Sequence, residues 1–118
     1  MLTGIQSVII WSEDAKRLAP FYRDVLGLRP AMEAEGFTMF EASTGAPLAI
    51  GTHSEVRGRS RDSNRVMIDF GVDDCQAEYE RLRKEGVEFT RTPSKDGDLI
   101  IATFLDPDGN ALQLLQGA

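Results

Sequence analysis

The chain has 118 residues, of which 42% are hydrophobic and 27% are charged, and its formal net charge at pH 7 is −6. This length suffices for one compact domain, and the composition is that of an ordinary soluble globular protein. The negative charge argues against a nucleic-acid-binding surface, because phosphates need lysine and arginine facing them, and the single cysteine, Cys75, excludes an internal disulfide.

The first predicted strand lies in the apolar run Val8–Trp11. Four apolar residues are too few for the core of a signal peptide or for a membrane span. We therefore expect a cytoplasmic protein that makes no membrane contact.

An amphipathic helix is predicted after this strand, ending near Gly27. Pro20 lies within the helix and should free the carbonyl of Lys16, which predicts a bend at this point. The helix packs through an apolar stripe formed by Leu18, Phe21, Tyr22 and Val25.

An arginine-rich segment, residues 57–65, separates the two halves of the chain. The pattern favours a solvated, flexible connection. A contact with an anionic ligand or with a partner is the alternative. The arginines are Arg57, Arg59, Arg61 and Arg65.

A second amphipathic helix is predicted in the second half, and it ends at Gly86, which suits the left-handed position after a helix. Asp73 with Gln76 three residues later has the pattern of a capping box at its start. Cys75 lies near this start, where a thiol pKa can fall, but Asp73 and Asp74 oppose a thiolate. We interpret Cys75 as a small packing residue rather than a reactive one.

The two halves repeat one pattern: a short strand, an acidic helix start, an amphipathic helix, a glycine stop and about three strands. Asp14 corresponds to Asp74, and Gly45 corresponds to Gly109 in the turn of "DPDGNALQL". The sequence therefore predicts an α+β fold of two βαβββ modules within one structural domain. The modules are residues 1–56 and 66–118, joined by residues 57–65.

Alternation along the strands assigns one face of each sheet to the helix and leaves the other face open. If the sheets curve, the open faces line a cleft and the helices lie outside. The predicted lining is apolar and aromatic with a few hydrogen-bonding groups, as is typical of a small-molecule pocket. Core filling or burial against another subunit is the alternative. The lining residues are Ser7, Ile9, Trp11, Ala49, Met67, Asp69 and Gln113, with Phe37 and Met39 as further candidates.

Asp69 is the unusual member of this set, because it lies between Ile68 and Phe70 on an otherwise hydrophobic strand. A buried carboxylate without a partner would be costly or would stay protonated. Three explanations are open: an ion pair with an arginine, access to solvent at the mouth of the cleft, or contact with a cationic ligand. The ion pair is the favoured one.

Three motifs, in this order and spacing, make the chain resemble the vicinal oxygen chelate superfamily of glyoxalases, bleomycin-resistance proteins and extradiol dioxygenases. They are "FYRDVLGL" at 21–28, "VDD" at 72–74 with the helix after it, and "DPDGNALQL" at 106–114. The resemblance spans essentially the whole chain. It implies paired βαβββ modules whose curved sheets enclose a cleft. It also implies a homodimer, which open sheet edges and apolar surface favour independently.

In the enzymes of that superfamily, the resemblance implies a divalent metal held by two histidine, glutamate or glutamine ligands from each module. The four corresponding positions in this chain are Ser7, Ala49, Met67 and Gln113. Serine, alanine and methionine are not ligands for the metals concerned. We therefore expect neither a metal nor another cofactor.

A displaced metal site is the alternative, built from His53, Glu41 or Asp69 together with Gln113. His53 is the only histidine of the chain and lies in the polar stretch "GTHSEV". This setting favours a surface or turn residue over a ligand.

The favoured function is that of a metal-free small-molecule binding protein of the glyoxalase and bleomycin-resistance type. Its ligand would be partly aromatic, and the net charge and Asp69 favour a neutral or cationic molecule. The alternative is an enzyme: a lyase, isomerase or dioxygenase with a displaced metal, or a metal-independent acid–base catalyst using His53 or Asp69. A scaffold with a filled cleft is a third option.

Overall fold

The computed structural model describes residues 1–117. The chain divides into two compact units, Met1–Gly58 and the part from Arg59 onward. Each unit consists of a strand, a helical segment and three further strands. The predicted α+β fold with two βαβββ modules is confirmed.

The first unit is a four-stranded sheet with one helical segment. Its elements are β1 (Val8–Ser12), α1 (Ala15–Pro20), a π-helical segment (Phe21–Val25), β2 (Pro30–Ala34), β3 (Phe37–Phe40) and β4 (Leu48–Thr52). The strand order is β1-β4-β3-β2. β1 pairs with β4 in parallel, and the other two pairs are antiparallel.

The second unit repeats this topology. Its elements are β5 (Met67–Gly71), α2 (Cys75–Lys84), β6 (Glu88–Asp96), β7 (Leu99–Leu105) and β8 (Ala111–Gln116). The strand order is β5-β8-β7-β6, and only β5 and β8 are parallel. The final strand of each unit therefore lies beside the first, so side chains far apart in the sequence share one sheet face.

The bend predicted at Pro20 takes the form of a change in helix type. α1 ends at Pro20, and the chain continues as a π-helical segment in which the Leu26 N–H donates to the Phe21 carbonyl at 3.0 Å. Proline has no N–H and disrupts the regular ladder, and a wider turn restores the hydrogen bonding beyond it. Gly27 then has a positive φ of 83°, as predicted for a helix stop.

The two helices begin in the same way. The Asp14 carboxylate accepts from the Lys16 N–H at 3.1 Å, and the Asp74 carboxylate accepts from the Ala77 N–H at 3.0 Å. The predicted capping box of Asp73 and Gln76 is therefore wrong by one residue. With Asp74 as the N-cap, the third helical position is an alanine, which cannot reach back to the cap.

A side chain from the last strand of each unit completes the helix start. The Thr52 hydroxyl accepts from the Ala15 N–H at 2.9 Å, and the Gln116 amide oxygen accepts from the Cys75 N–H at 2.8 Å. These bonds satisfy backbone donors that have no partner within the helix. They also fix each helix to the edge-adjacent strand of its own sheet.

The core of each unit lies where its helical segment meets its sheet. α1 contacts β1, β3 and β4, and α2 contacts β6, β7 and β8. Fully buried side chains include Leu18, Tyr22, Phe40 and Ile50 in the first unit and Leu82, Phe104 and Leu112 in the second. Neither helix of residues 1–117 has the length and apolar content needed to cross a membrane.

Candidate functional site

The first sheet has an apolar open face, defined here as the face opposite the buried Thr38 and Phe40. The strand register places Ile9 beside Ala49 and Ala49 beside Met39. Ala49 is completely buried, whereas Ile9 remains 38% exposed. This row therefore has a flat, small centre with larger apolar side chains on either side.

Trp11 dominates a second row on the same face, beside Gly51 and Phe37. A Cβ atom added to Gly51 would lie 2.5 Å from Cζ3 of Trp11 and 3.0 Å from Cδ2 of Phe37. The indole therefore lies directly over the Gly51 backbone, in a space that only glycine leaves free. The Trp11 side chain is nevertheless 41% exposed. The row presents an aromatic platform that is fixed from below and open to solvent.

His53 flanks this platform. Its ring stands edge-on to Trp11 with the ring centroids 5.4 Å apart. Its Nδ1 accepts from the Glu55 N–H at 3.1 Å, which places the proton of the neutral imidazole on Nε2. The sequence predicted a surface or turn residue, and His53 does follow β4. Its contact with Trp11 was missed, because the two residues are far apart in the chain.

The second sheet has a polar row across its open face. The register aligns Asp69 with Gln113, Gln113 with Thr103, and Thr103 with Arg91. The Gln113 Nε2 donates to the Thr103 hydroxyl at 3.0 Å. Each of the four strands thus contributes one polar group to a line across the sheet: a carboxylate, an amide, a hydroxyl and a guanidinium. We refer to these four residues as the polar row.

Within residues 1–117, the two charged ends of the polar row have no ion-pair partner. Asp69 is exposed and forms no salt bridge with any residue of 1–117, so the favoured ion pair is wrong. Arg91 is half-buried, and its Nε donates to the Ser94 hydroxyl at 2.8 Å. Sequence reasoning missed Arg91, because its position beside Thr103 depends on register shifts in β6 on both sides of it.

Met67 lies at one end of the same face, beside Ala111, and is 38% exposed. Ser7 is half-buried and precedes β1. The structure therefore places six of the seven predicted lining residues on the two open faces, three in each sheet, and Ser7 just before β1. Phe37 and Met39, the further candidates, lie in the rows of the first sheet.

The donor set at the four superfamily metal positions does not fit a metal. Ala49 has no side-chain donor atom and is completely buried, and Gln113 offers one amide oxygen, which cannot hold a metal by itself. Ser7 and Met67 supply only a hydroxyl and a thioether, which are poor ligands for divalent cations.

The geometry does not support the displaced metal site either. Within residues 1–117, no three histidine, cysteine, aspartate or glutamate side chains come together as a metal site requires. His53 has its Nδ1 turned to the Glu55 backbone and its ring edge against Trp11.

The turn before β8 is held by Asp106. Its carboxylate accepts from the backbone N–H groups of Asp108 and Asn110 at 2.8 and 2.9 Å, and from the Asn110 side chain at 2.8 Å. Gly109 has a φ of 79°, which suits the left-handed residue of this turn. The turn fixes where β8 begins and therefore the register that places Gln113 in the polar row.

Part of the arginine-rich segment fastens onto this turn. The Arg59 guanidinium donates to the Pro107 carbonyl at 2.8 Å, and the Ser60 N–H donates to the Asp108 carbonyl at 2.7 Å. A Cβ atom on Gly109 would lie 3.1 Å from Arg59 Nη2. Arg59 stays exposed to solvent, as expected for this segment, while its guanidinium is bonded to the turn. Arg57 and Arg65 make local bonds, to the Val56 carbonyl and to Asp62.

Cys75 is an inert packing residue, as the sequence indicates. The thiol is completely buried at the start of α2. Burial raises its pKa, and the nearby Asp74 carboxylate raises it further. The thiolate is therefore disfavoured at neutral pH.

A cavity of about 390 Å³ lies elsewhere in the first unit, between α1 and the β2–β3 hairpin. Lys16, Arg23, Glu33 and Glu35 are among its lining residues. It includes none of the seven predicted site residues. Arg23 in this wall is bonded to both Asp24 and Glu33, and its hydrogen bond holds the pKa of the Asp24 carboxyl below its usual value.

Comparisons with known proteins agree on one family. A family model described as the Glyoxalase/Bleomycin resistance protein/Dioxygenase superfamily matches residues 4–114. Lactoylglutathione lyase of Haemophilus influenzae is 30% identical over 114 residues, which cover 87% of this chain and 84% of that protein. The uncharacterised protein YetH of Bacillus subtilis is 25% identical over 118 residues, or 97% of this chain and 98% of that protein.

A shorter match joins the chain to YurT of Bacillus subtilis, with 51% identity over 47 residues. It covers 40% of this chain and 37% of that protein, well under two thirds of the relative's length. The similarity therefore concerns one part of YurT only.

Solved structures share the fold at low sequence identity. A putative glyoxalase family protein from Bacillus anthracis has a TM-score of 0.79 and 19% identity, covering 100% of this chain and 98% of that one. A superfamily member from Sphaerobacter thermophilus has a TM-score of 0.78 and 22% identity, covering 98% of each chain. At such identities the similarity shows the fold alone.

Proposed function

Because the chain belongs to the glyoxalase/bleomycin resistance protein/dioxygenase superfamily, we propose that it is a small-molecule binding protein of this group that works without a bound metal. The ligand is partly aromatic and is neutral or cationic. The observation that supports this proposal most directly is the Trp11 platform over Gly51 on the first sheet.

The platform is suited to stacking a planar group. Trp11 is held in place by Gly51 below and by contacts with Phe37 and His53 beside it, yet 41% of it is exposed. A rigid aromatic side chain loses little conformational freedom on binding, and aromatic pairs add about 0.5–1.5 kcal/mol beyond the buried area. Ile9 and Met39 extend the apolar surface around it.

Charge favours a ligand without net negative charge. The chain has a formal net charge of −6, and an anion would approach against this field. Asp69 adds an exposed carboxylate without an ion-pair partner in residues 1–117. These features support a neutral or cationic ligand.

An enzymatic function is the second candidate, and one observation favours it. The Haemophilus influenzae relative, 30% identical, is a lactoylglutathione lyase. In this chain such chemistry would need a displaced metal or a metal-independent acid–base group, of which His53 and Asp69 are the candidates. A lyase, isomerase or dioxygenase of the superfamily is therefore the alternative proposal.

Two further properties belong to the proposal. We propose a homodimer, because Met32 and Val66, which lie outside the Trp11 platform, are exposed at 47% and 70% and apolar surface of this kind favours association. We also propose a cytoplasmic location. We propose that the protein binds neither nucleic acid nor a membrane.

A ligand screen tests the binding function. Purified protein is incubated with a chelator, and neutral and cationic aromatic compounds are screened by thermal shift and by the fluorescence of Trp11, the single tryptophan. We expect hits that alter Trp11 emission, and Trp11→Leu should weaken them by about tenfold. Val66→Ala, which removes an apolar side chain that is 70% exposed, is the control and should bind normally.

Elemental analysis separates the two candidate functions. A stoichiometric transition metal retained through purification would overturn metal-free binding and favour the enzyme. A screen without any compound that affects Trp11 emission would contradict the binding of an aromatic ligand at the Trp11 platform, independently of metal content.

A further inference from the structure

We propose that the polar row of the second sheet binds the two ends of a zwitterionic ligand, with a carboxylate or similar anionic group at Arg91 and an ammonium group at Asp69. This inference rests on the proposed binding function and names the ligand class more narrowly. A zwitterion is neutral overall, so it meets the charge requirement of that function while using both charged residues.

The Arg91 guanidinium is suited to binding an anionic group. Its Nε donates to Ser94 at 2.8 Å, which leaves the two terminal nitrogens of the guanidinium available as donors. These nitrogens have no acceptor among residues 1–117, although the chain contains 19 acidic residues. A paired end-on contact from such a fork is the geometry that carboxylates accept.

The shape of β6 explains why Arg91 and Ser94 can cooperate. Arg91 pairs with Thr103 and Ser94 pairs with Ile101, with a register shift between the two pairs. Thr103 and Ile101 are two residues apart on β7, so they share a sheet face. The irregularity around Pro93 therefore places Arg91 and Ser94 on one face, which strict alternation would forbid.

The centre of the polar row can bind the middle of the ligand. Thr103 is 4% exposed and accepts from Gln113 Nε2 at 3.0 Å. This bond orients the Gln113 amide, and its oxygen has no partner in the described chain. An oriented carbonyl oxygen is an acceptor for an N–H or O–H of the ligand.

Asp69 provides the cationic subsite at the opposite edge of the sheet. It is exposed and without an ion pair within residues 1–117. Asp69 and Arg91 are three strand steps apart, and steps of ~4.8 Å place their Cα atoms about 14 Å from each other. An α-amino acid is too short to reach both groups, since its amine and carboxylate share one carbon. The geometry therefore requires a ligand whose opposite charges lie at the two ends of a longer skeleton.

A length series provides the test. Linear ω-aminoalkanoates of increasing length are titrated into the full chain, and binding is followed by NMR through the side-chain amide signals of Gln113. We expect the affinity to peak at an intermediate length of roughly five to eight carbons, because hydrogen bonds of about 3 Å at each end take up part of the ~14 Å between Asp69 and Arg91. Alkylamines and alkanoates of equal length should each bind about tenfold more weakly than the zwitterion, because each loses one charge-assisted contact.

Charge-removing variants assign the two ends. Arg91→Gln should weaken binding of the best zwitterion about tenfold and leave binding of the matched alkylamine unchanged. Asp69→Asn should also weaken binding of the zwitterion about tenfold, but it should leave binding of the matched alkanoate unchanged. Lys95→Gln on the same strand and Asp73→Asn make the same charge changes at exposed positions outside the polar row. These two controls should bind like the parent chain, and circular dichroism checks that all four variants fold.

The outcomes distinguish this inference from the proposed function. The zwitterion assignment is overturned if the length series shows no optimum, or if the controls weaken binding as much as Arg91→Gln. Small-molecule binding still stands in that case if aromatic compounds bind at Trp11. If the zwitterions bind with the expected optimum but no compound affects Trp11, the polar row is a site and the aromatic platform is not.

Discussion

At the scale of single residues, Gly51 and Trp11 show how a small residue can create a binding surface. Gly51 lies within β4, and glycine is normally unfavourable inside a strand. Here its missing side chain allows the indole to lie against the backbone, with Phe37 beside it. Gly51 lowers the strand propensity at this position, and in return its backbone allows Trp11 to be both fixed and exposed.

The first prediction concerns this contact. In Gly51→Ala the new methyl group would lie 2.5 Å from the indole, so Trp11 must move. We expect the free energy of unfolding to fall by about 1–3 kcal/mol, as for other overpacked sites, together with a shift in Trp11 fluorescence. Urea denaturation followed by fluorescence measures both effects.

Gly71→Ala is the matched control. Gly71 is also a strand glycine, and a Cβ atom there would meet nothing within 4 Å. This variant should stay within about 0.5 kcal/mol of the parent chain. Equal destabilisation by the two changes would show that strand glycine, rather than the indole contact, is responsible.

At the scale of secondary-structure elements, the two helices show the internal repeat most clearly. Each begins with an aspartate N-cap, and each has its first backbone N–H bound by a side chain from the last strand of its unit. The sequence pairs Asp14 with Asp74 by position alone. The Thr52 and Gln116 contacts were not predicted, because a threonine and a glutamine differ in length and chemistry and do not show up as a repeat in the sequence.

The second prediction separates two adjacent aspartates at the start of α2. Asp74→Ala removes the bond to the Ala77 N–H and should lower the free energy of unfolding by about 1 kcal/mol, the usual effect of losing an N-cap. Asp73→Ala removes the same charge next to it and should change stability by less than about 0.5 kcal/mol. Chemical denaturation of both variants decides between the capping box expected from sequence and the observed cap.

At the scale of the whole molecule, the two sheets share a topology but differ in the chemistry of their open faces. The face of the first sheet is apolar around Trp11, and that of the second contains the polar row from Asp69 to Arg91. In each sheet the first strand of the unit lies at one edge. The duplication thus supplied two similar sheets whose exposed surfaces offer different ligand contacts.

The third prediction is the oligomeric state. Because Met32 on β2 and Val66 just before β5 expose apolar surface, we expect sedimentation equilibrium to give twice the chain mass of 13.0 kDa. The dimer should persist at high salt, since apolar contacts are not screened by ions. A mass of one chain across the micromolar range would contradict it.

Much of the fold was predictable because its signals are local. The helix stripe around Leu18 and Tyr22, the glycine stops at Gly27 and Gly86, and the turn at Gly109 all depend on residues within a few positions of each other. A local error remained at the start of α2, where Asp73 and Asp74 are both suitable N-caps and the wrong one was predicted. The π-helical form of the bend after Pro20 was also beyond the sequence, because a proline predicts a disruption but not how the chain repairs it.

The sequence by itself determined the α+β class, the duplicated strand–helix–strand order, the family resemblance and the lack of suitable metal ligands at Ser7, Ala49 and Met67, since each of these depends on residue identity at fixed spacing. Only the tertiary structure decided that Arg91 completes a row with Thr103, Gln113 and Asp69, that Asp69 has no ion pair in residues 1–117, and that His53 stands against Trp11. The physical reason is strand register. An irregularity of one residue in β6 changes which side chains share a face, and residues from distant parts of the chain meet only when that register is set.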